Sequence, residues 1–229
     1  MSLILQIDTS LENAFVCISE NGIVVESVSN SVQKEHAGFI HQTIKELTES
    51  RAIQLNSLAA IAVTEGPGSY TGLRVGLASA KGFCYALNKP LITIGSLNLI
   101  ARDMMNSDGM AFDKNDLFCP LIDARRMEVF TSLFDYDMNQ KEIPYALILQ
   151  EDQFIETLKN HRIFFGGSGA KKFENVCSHT NAFFLEANNL PSSMATLSYQ
   201  KLLTGNFANL AHCEPLYVKE HQTVSNVKQ

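Results

Sequence analysis

Hydrophobic positions in the first half of the chain follow two patterns, nearly continuous apolar runs and apolar residues spaced three or four apart. The continuous runs predict buried strands, whereas the spacing of Ile40, Ile44 and Leu47 predicts a helix with one apolar face. We predict strands at residues 3–8, 14–19, 23–29, 59–64 and 91–94, and helices at 37–47, 72–87 and 96–105. The resulting order of elements is β-β-β-α-β-α-β-α.

A similar order begins again after a polar segment at residues 106–116. The second series consists of strands at 117–122, 128–135, 145–149 and 162–165 and helices at 151–160 and 170–176. Its first strand ends at Asp123, as the first strand of the chain ends at Asp8. The two halves match in topology but show no residue-level repeat.

Two successive ββαβα units are the plan of the actin-like (ASKHA) superfamily, whose members bind nucleotide between two lobes. We therefore predict an α/β protein with this duplicated, two-lobed fold. The N-terminal lobe is expected at residues 1–106, the C-terminal lobe at 107–218, and a frayed polar tail at 219–229.

Composition restricts the class of protein further. The 229-residue chain is 45% hydrophobic, as is typical of a globular protein. Its formal net charge of −6 argues against direct binding to nucleic acid, which usually needs a basic surface. The first apolar run has no basic region before it and reaches Asp8 after a few residues, so we do not expect it to be a signal peptide. No apolar run approaches the roughly 18 residues that a membrane span needs. We therefore expect a cytosolic protein that makes no membrane contact.

The cysteines and histidines form no recognisable metal or redox motif. Five cysteines are widely spaced without a C-x-x-C pair, which favours buried, reduced thiols. His36 and His41 lie five positions apart, so they do not share a helical face, and neither H-E-x-x-H nor H-x-x-x-H occurs. We predict no metal site.

Four short segments carry residue types that bind nucleotide in actin-like proteins. They contribute the candidate cleft residues Asp8, Thr9, Ser10, Gly68, Asp123 and Gly167. Each segment has a structural alternative, which is a tight turn for the first, second and fourth and a solvated hairpin turn for residues 123–128. The first turn lacks glycine and contains Glu12, whose charge would repel phosphate, so we expect at most a vestigial nucleotide cleft.

The glycine-rich stretch at residues 66–76 matches neither a P-loop nor a G-x-G-x-x-G fingerprint nor a G-x-S-x-G elbow. The helix that follows is rich in small residues, namely Gly72, Gly76, Ala78, Ser79, Ala80 and Gly82. Small residues let another backbone approach, and this backbone belongs either to the chain's own lobe or to a partner subunit. Together with the helix at 37–47, the small-residue helix would form half of a four-helix interface.

Three segments together resemble the TsaB family. They are residues 4–10, residues 66–76 with the following Ala80-Lys81-Gly82, and residues 123–129. The resemblance is specific in the N-terminal lobe and loose in the C-terminal third. It implies a fold shared with the paralogue TsaD, which transfers a threonylcarbamoyl group to adenosine 37 of tRNA and carries a metal-binding H-x-x-x-H motif that is missing here.

The resemblance further implies a partner subunit with no catalytic residue and no cofactor of its own. TsaB proteins pair with TsaD through helices of the N-terminal lobe and recruit the ATPase TsaE, and in this sequence those helices are at 36–51 and 72–87. The implied interface residues are His36, Phe39, Ile40, Thr43, Ile44, Leu47, Gly72, Arg74, Val75, Gly76 and Ser79. The isolated chain is free to form a homodimer through the same face, and tRNA is contacted only through the complex.

Two other functions stay open as alternatives. An autonomous actin-like ATPase or kinase would use Asp8 and Asp123 around Mg-ATP. A metalloprotease would need the histidine motif that the sequence lacks.

Overall fold

The computed structural model describes residues 1–31, 36–107 and 109–219, which form two β-sheets flanked by helices. The first sheet contains β1 (Leu3–Asp8), β2 (Ala14–Glu20), β3 (Ile23–Asn30), β4 (Leu58–Gly66) and β5 (Leu91–Gly95), in the order β3-β2-β1-β4-β5. Strand β1 is antiparallel to β2 and parallel to β4. The helices of this half are α1 (His36–Ser50), α2 (Tyr70–Leu87) and α3 (Ser96–Met105).

The second sheet repeats this arrangement. Its strands are β6 (Leu117–Asp123), β7 (Glu128–Thr131), β8 (Phe134–Asp135), β9 (Tyr145–Ile148), β10 (Ile163–Gly166) and β11 (Ala182–Leu185). Their order is β11-β10-β6-β7-β9, with β8 paired to β6, so the first strand β6 is again flanked by an antiparallel strand, β7, and a parallel strand, β10. The remaining helices are α4 (Ile155–Leu158), α5 (Ala170–Glu174) and α6 (Leu190–Leu203). The predicted duplicated actin-like α/β fold is confirmed.

The central strands β1 and β4 of the first sheet are apolar over most of their length because helices cover both faces of the sheet. Side chains of a strand alternate between faces, so Leu5 and Ile7 pack with α1 and α2, whereas Ile4 packs on the opposite side with Met194 of α6. A continuous apolar run is therefore what a strand covered on both sides requires.

Two predicted elements differ from the observed ones. The predicted helix at 151–160 shortens to α4, because Phe154 has a positive φ of 66° and only Leu158 within α4 is buried. The predicted strand at 128–135 divides into β7 and β8, which pair with β6 on either side of Pro120. Proline has no N–H to donate, so the ladder is interrupted there.

The C-terminal segment returns to the first sheet. Helix α6 packs against it, Ala208 N–H donates to Leu91 O at 2.8 Å, and Leu216 N–H donates to Glu65 O at 2.6 Å. Residues 190–217, which the predicted boundaries assign to the C-terminal lobe, thus return to the sheet of the N-terminal lobe. The lobe boundaries at 1–106 and 107–218 stay a prediction. Residues 220–229 of the predicted tail lie outside the described residues.

The described residues also bear on the thiols and on membrane contact. All five cysteines are free, and Cys17, Cys84 and Cys119 are buried, as expected for structural thiols. Within the three described ranges, no helix is long and apolar enough to cross a membrane.

Candidate functional site

A cleft of about 1120 Å³ lies between the two sheets. Its walls come from the turn after β1, the start of α2, the turn between β6 and β7, and α5. Of the six predicted cleft residues, Ser10, Gly68 and Asp123 line it, whereas Asp8, Thr9 and Gly167 do not. The structure therefore brings together only half of the predicted site.

The Asp8 carboxylate holds the turn after β1 in place. It is completely buried, and its Oδ1 accepts hydrogen bonds from Ser10 N–H at 2.8 Å, from Ser10 Oγ at 2.7 Å and from Thr64 Oγ1 at 2.7 Å. A buried carboxylate must be compensated by such donors. One oxygen of Asp8 is therefore already engaged three times by the chain itself.

The glycines at the start of α2 make room for this same turn. A Cβ on Gly68 would collide with Ser10 O, and one on Gly72 would collide with Thr9 O. The turn and the helix are also hydrogen-bonded directly, because Ser69 N–H donates to Ser10 O and Thr9 Oγ1 donates to Gly72 O, both at 2.7 Å. The glycine-rich stretch thus serves close packing inside the lobe, which answers the question that the sequence left open.

Asp123 has a different environment from Asp8. It is exposed, its Oδ1 accepts from Lys172 Nζ and from Arg125 N–H, both at 2.6 Å, and its own N–H donates to Ser168 Oγ at 3.0 Å. Partial burial works against ionisation, but the hydrogen bonds from Lys172 and the Arg125 amide outweigh it and lower the pKa of the Asp123 carboxyl. Asp123 therefore stays ionised and paired.

Glu12 is an exposed carboxylate on the cleft wall next to Ser10. Opposite charge is supplied by Arg125 and Arg126, which both have positive φ, at 73° and 49°. Neither in the cleft nor elsewhere in the described part of the chain are three His, Cys, Asp or Glu side chains arranged to hold a metal ion.

Most of the predicted interface residues face the chain's own core. Ile40, Thr43, Ile44, Leu47, Gly72 and Gly76 are buried. They are inward-facing because the apolar stripe of α1 covers the first sheet, and because a Cβ on Gly76 would collide with Thr9 Oγ1. These six residues pack in the chain's own core, and their role in a partner interface stays a prediction. Phe39, Val75 and Ser79 are half-buried, Arg74 is exposed, and the side chain of His36 lies outside the described residues.

Helix α2 carries a second row of small residues, which is exposed. Ala78, Gly82 and Ala86 are spaced four apart and therefore lie along one side of the helix, and a Cβ on Gly82 would have no atom within 4 Å. Tyr85 beside them is 84% exposed. Ala78 and Gly82 belong to the predicted small-residue helix, but the inward residues Gly72, Gly76 and Ala80 have the same four-residue spacing, so the sequence does not separate the two rows.

The neighbouring helix α1 extends this exposed surface. Gly38 is exposed and a Cβ there would have no atom within 4 Å, while the exposed ring of His41 lies 5.6 Å from that of Phe83 in α2. We call a subset of the exposed and half-buried residues of the two helices the α1–α2 face; its members are Gly38, Phe39, His41, Arg74, Val75, Ala78, Ser79, Gly82, Phe83, Tyr85 and Ala86.

Comparison with known proteins gives one consistent result. Residues 22–209 match the family model of TsaD, tRNA N6-adenosine threonylcarbamoyltransferase. The tRNA threonylcarbamoyladenosine biosynthesis protein TsaB of Bacillus subtilis is 26% identical over 96% of this chain and 99% of that protein. TsaB of Haemophilus influenzae is 26% identical over 96% of this chain and 94% of that protein.

Solved structures agree on the fold. YeaZ from Pseudomonas aeruginosa superposes with a TM-score of 0.78 at 21% identity, covering 95% of this chain and 100% of that one. At this identity the likeness concerns the fold alone, and it spans both sheets. The resemblance to the TsaB family that the sequence analysis drew from three segments is confirmed over nearly the whole chain.

Proposed function

Because the chain belongs to the tRNA N6-adenosine threonylcarbamoyltransferase (TsaD) family, and its full-length relatives there are TsaB proteins, we propose that it is a non-catalytic partner subunit in tRNA modification. In this proposal it binds and activates a TsaD-type enzyme that makes N6-threonylcarbamoyladenosine at position 37 of tRNA. A TsaE-type ATPase joins the assembly, tRNA is contacted only through the complex, and the protein works in the cytoplasm.

The α1–α2 face is the observation that carries this proposal. The side chains of its central row are short, because Ala78 and Ala86 do not extend beyond Cβ and Gly82 between them has no side chain. A helix of another protein can therefore approach closely. A large exposed aromatic residue, Tyr85, stands next to this row, and such residues commonly anchor interfaces. The face therefore suits helix-on-helix docking.

The state of the cleft supports a partner role over that of an autonomous ATPase or kinase. Mg-ATP chemistry would need a carboxylate available to metal and amides available to phosphate. Here the Ser10 amide N–H already donates a hydrogen bond to Asp8 Oδ1, and Asp123 is paired with Lys172. Glu12 adds a negative charge to the same wall. The ATPase reading is therefore the less favoured alternative, and calorimetric titration with Mg-ATP tests it.

The test of the partner role is a binding and activity assay with the TsaD-type enzyme of the same organism. We expect the two proteins to co-purify, and threonylcarbamoylation of tRNA to depend on this chain. Ala78→Arg places a long side chain in the middle of the α1–α2 face while keeping a good helix former. It should abolish co-purification and activation.

Thr180→Arg is the matched control, because Thr180 is exposed and lies beside the second sheet. It should leave both readouts unchanged. If Ala78→Arg binds and activates as well as the natural chain, the α1–α2 face is not the partner surface. Modification of tRNA at full rate without this chain would refute the partner role itself.

A further inference from the structure

The C-terminal strap, which we define as residues 213–219, runs along α2 in the opposite direction to the helix. Near its start, Lys81 Nζ donates to Cys213 O at 2.9 Å. Further on, the ring of Tyr217 lies 5.0 Å from that of Tyr70, in the first turn of α2. The strap therefore delivers Tyr217 to one end of the α1–α2 face.

At that end, Tyr217 and Tyr70 hold the side chain of Arg74. The guanidinium carbon lies 4.0 Å from the centroid of the Tyr70 ring and 5.8 Å from that of Tyr217, while Nε donates to Tyr217 Oη at 2.8 Å. Stacking on an aromatic ring and a hydrogen bond at Nε restrict an otherwise mobile side chain. Arg74 is thus an exposed cation with a fixed geometry.

Arg74 has no carboxylate partner among the described residues, where no Asp or Glu oxygen lies within 4.0 Å of its nitrogens. Two of the other arginines have such a partner, since Arg51 is paired with Glu26 and Arg162 with Asp116. Arg74 combines the absence of an acidic partner with a guanidinium that two tyrosines hold in place.

The position of Arg74 connects it to the proposed partner surface. It precedes Ala78 by four residues and so stands at the head of the row formed by Ala78, Gly82 and Ala86, all of them exposed. A helix docked along this row would cover the guanidinium. Covered from water, an arginine needs an acceptor, and a carboxylate offers it two oxygens in the matching planar geometry.

We propose that Arg74 anchors the α1–α2 face by pairing with a carboxylate of the TsaD-type partner, and that Tyr217 of the strap orients its guanidinium for this contact. The proposal rests on the proposed function and assigns a binding role to the C-terminal strap. Arginine has five N–H donors, and the hydrogen bond to Tyr217 uses the one at Nε, so further donors remain for the partner. Arginine and tyrosine are the residue types that most often dominate interface energetics.

The experiment measures the affinity of the full chain for the TsaD-type enzyme by calorimetry at low and high salt. Arg74→Ala should weaken binding about 30-fold or more, as expected when one partner of a covered charge pair is removed. Arg74→Lys should recover only part of this loss, because an ammonium lacks the planar fork. Lys114→Ala removes one positive charge from an exposed loop before β6, away from the cleft and from the α1–α2 face, and should have no effect.

The strap is tested with Tyr217→Phe, which keeps the ring and removes the hydroxyl that accepts from Arg74. It should weaken binding about threefold to tenfold in the natural chain and not at all in the Arg74→Ala background. A loss of equal size in both backgrounds would refute the orienting role of Tyr217. Unfolding curves of each variant show whether the fold is intact.

The outcomes separate this inference from the function on which it rests. If the natural chain fails to bind the enzyme, the proposed function falls and the Arg74 anchor falls with it. If the natural chain binds and Arg74→Ala binds equally well, only the anchor is refuted. If Arg74→Ala instead lowers the affinity of the isolated chain for tRNA, the guanidinium serves a phosphate, and the proposal of a protein carboxylate is wrong.

Discussion

Gly76 and Gly82 form a matched pair of substitution sites on α2, one facing inward and one facing outward. We expect Gly82→Ala to stabilise the protein and Gly76→Ala to destabilise it, although the chemical change is identical. Both variants gain the helix propensity of alanine over glycine, about 1 kcal/mol in favour of the folded state. The difference must come from what the added methyl group meets.

At Gly82 the methyl group meets nothing within 4 Å, so we expect nearly the whole gain of about 1 kcal/mol. At Gly76 it collides with Thr9 Oγ1, which cannot easily retreat because it donates to Gly72 O at 2.7 Å. Overpacking of this kind costs about 1–3 kcal/mol, and loss of the hydrogen bond costs about 1 kcal/mol more. The net result at Gly76 is a loss of about 1–3 kcal/mol.

Urea unfolding followed by circular dichroism measures both changes, and about 1 kcal/mol corresponds to a shift of about 2–4 °C in Tm for a chain of this size. Removing the obstacle provides the control, since Gly76→Ala should cost far less in a Thr9→Ala background. Equal effects of the two alanines, or a Gly76→Ala cost unchanged by Thr9→Ala, would contradict the assignment of the inward and outward rows.

Two further predictions concern buried or paired carboxylates. Asp8→Ala leaves the donors of Ser10 and Thr64 buried without their acceptor, so we expect a loss of several kcal/mol, at about 1–3 kcal/mol for each unpaired group, in urea unfolding; a loss under 1 kcal/mol would contradict the role of this carboxylate. At Asp135 burial disfavours ionisation, but hydrogen bonds from Lys141 and other donors outweigh it and hold the pKa at about 2. Its contribution to stability is therefore present above the unfolded pKa near 4 and lost as the pH falls through about 2, and Lys141→Met should raise the Asp135 pKa measured by NMR titration.

The sequence was sufficient for the order of strands because burial on both faces leaves continuous apolar runs. Strands β1, β4 and β5 are such runs, and each was predicted within two residues of its observed limits. The division of the predicted strand 128–135 was missed because its cause, Pro120, lies in the partner strand. Pairing between distant segments decides this point, and single-strand patterns do not record it.

The orientation of α2 was harder to predict because both of its sides carry small residues. Gly76 and Gly82 have the same hydropathy, so periodicity alone does not tell which of them faces the sheet. The decision is made by the distant turn at Thr9–Ser10, whose backbone occupies the space beside Gly68 and Gly72; Thr9 and Gly72 are 63 residues apart along the chain. The same holds for the strap, whose contact with Arg74 spans 143 residues.

Asp8 and Asp123 occupy equivalent places at the ends of the first strands of the two sheets, yet their surroundings have diverged. After Asp8 the chain supplies hydroxyls, and Ser10 with Thr64 satisfies one carboxylate oxygen within a buried turn. After Asp123 it supplies Ala124 and Arg125, so the carboxylate stays exposed and pairs with Lys172. The buried turn after Asp8 belongs to the first sheet, which is also the sheet that α1 and α2 cover. Because this turn packs directly against Gly68, Gly72 and Gly76, its hydrogen bonds fix the position of α2, and a helix held in this way would present its outer row at low entropic cost to the proposed partner.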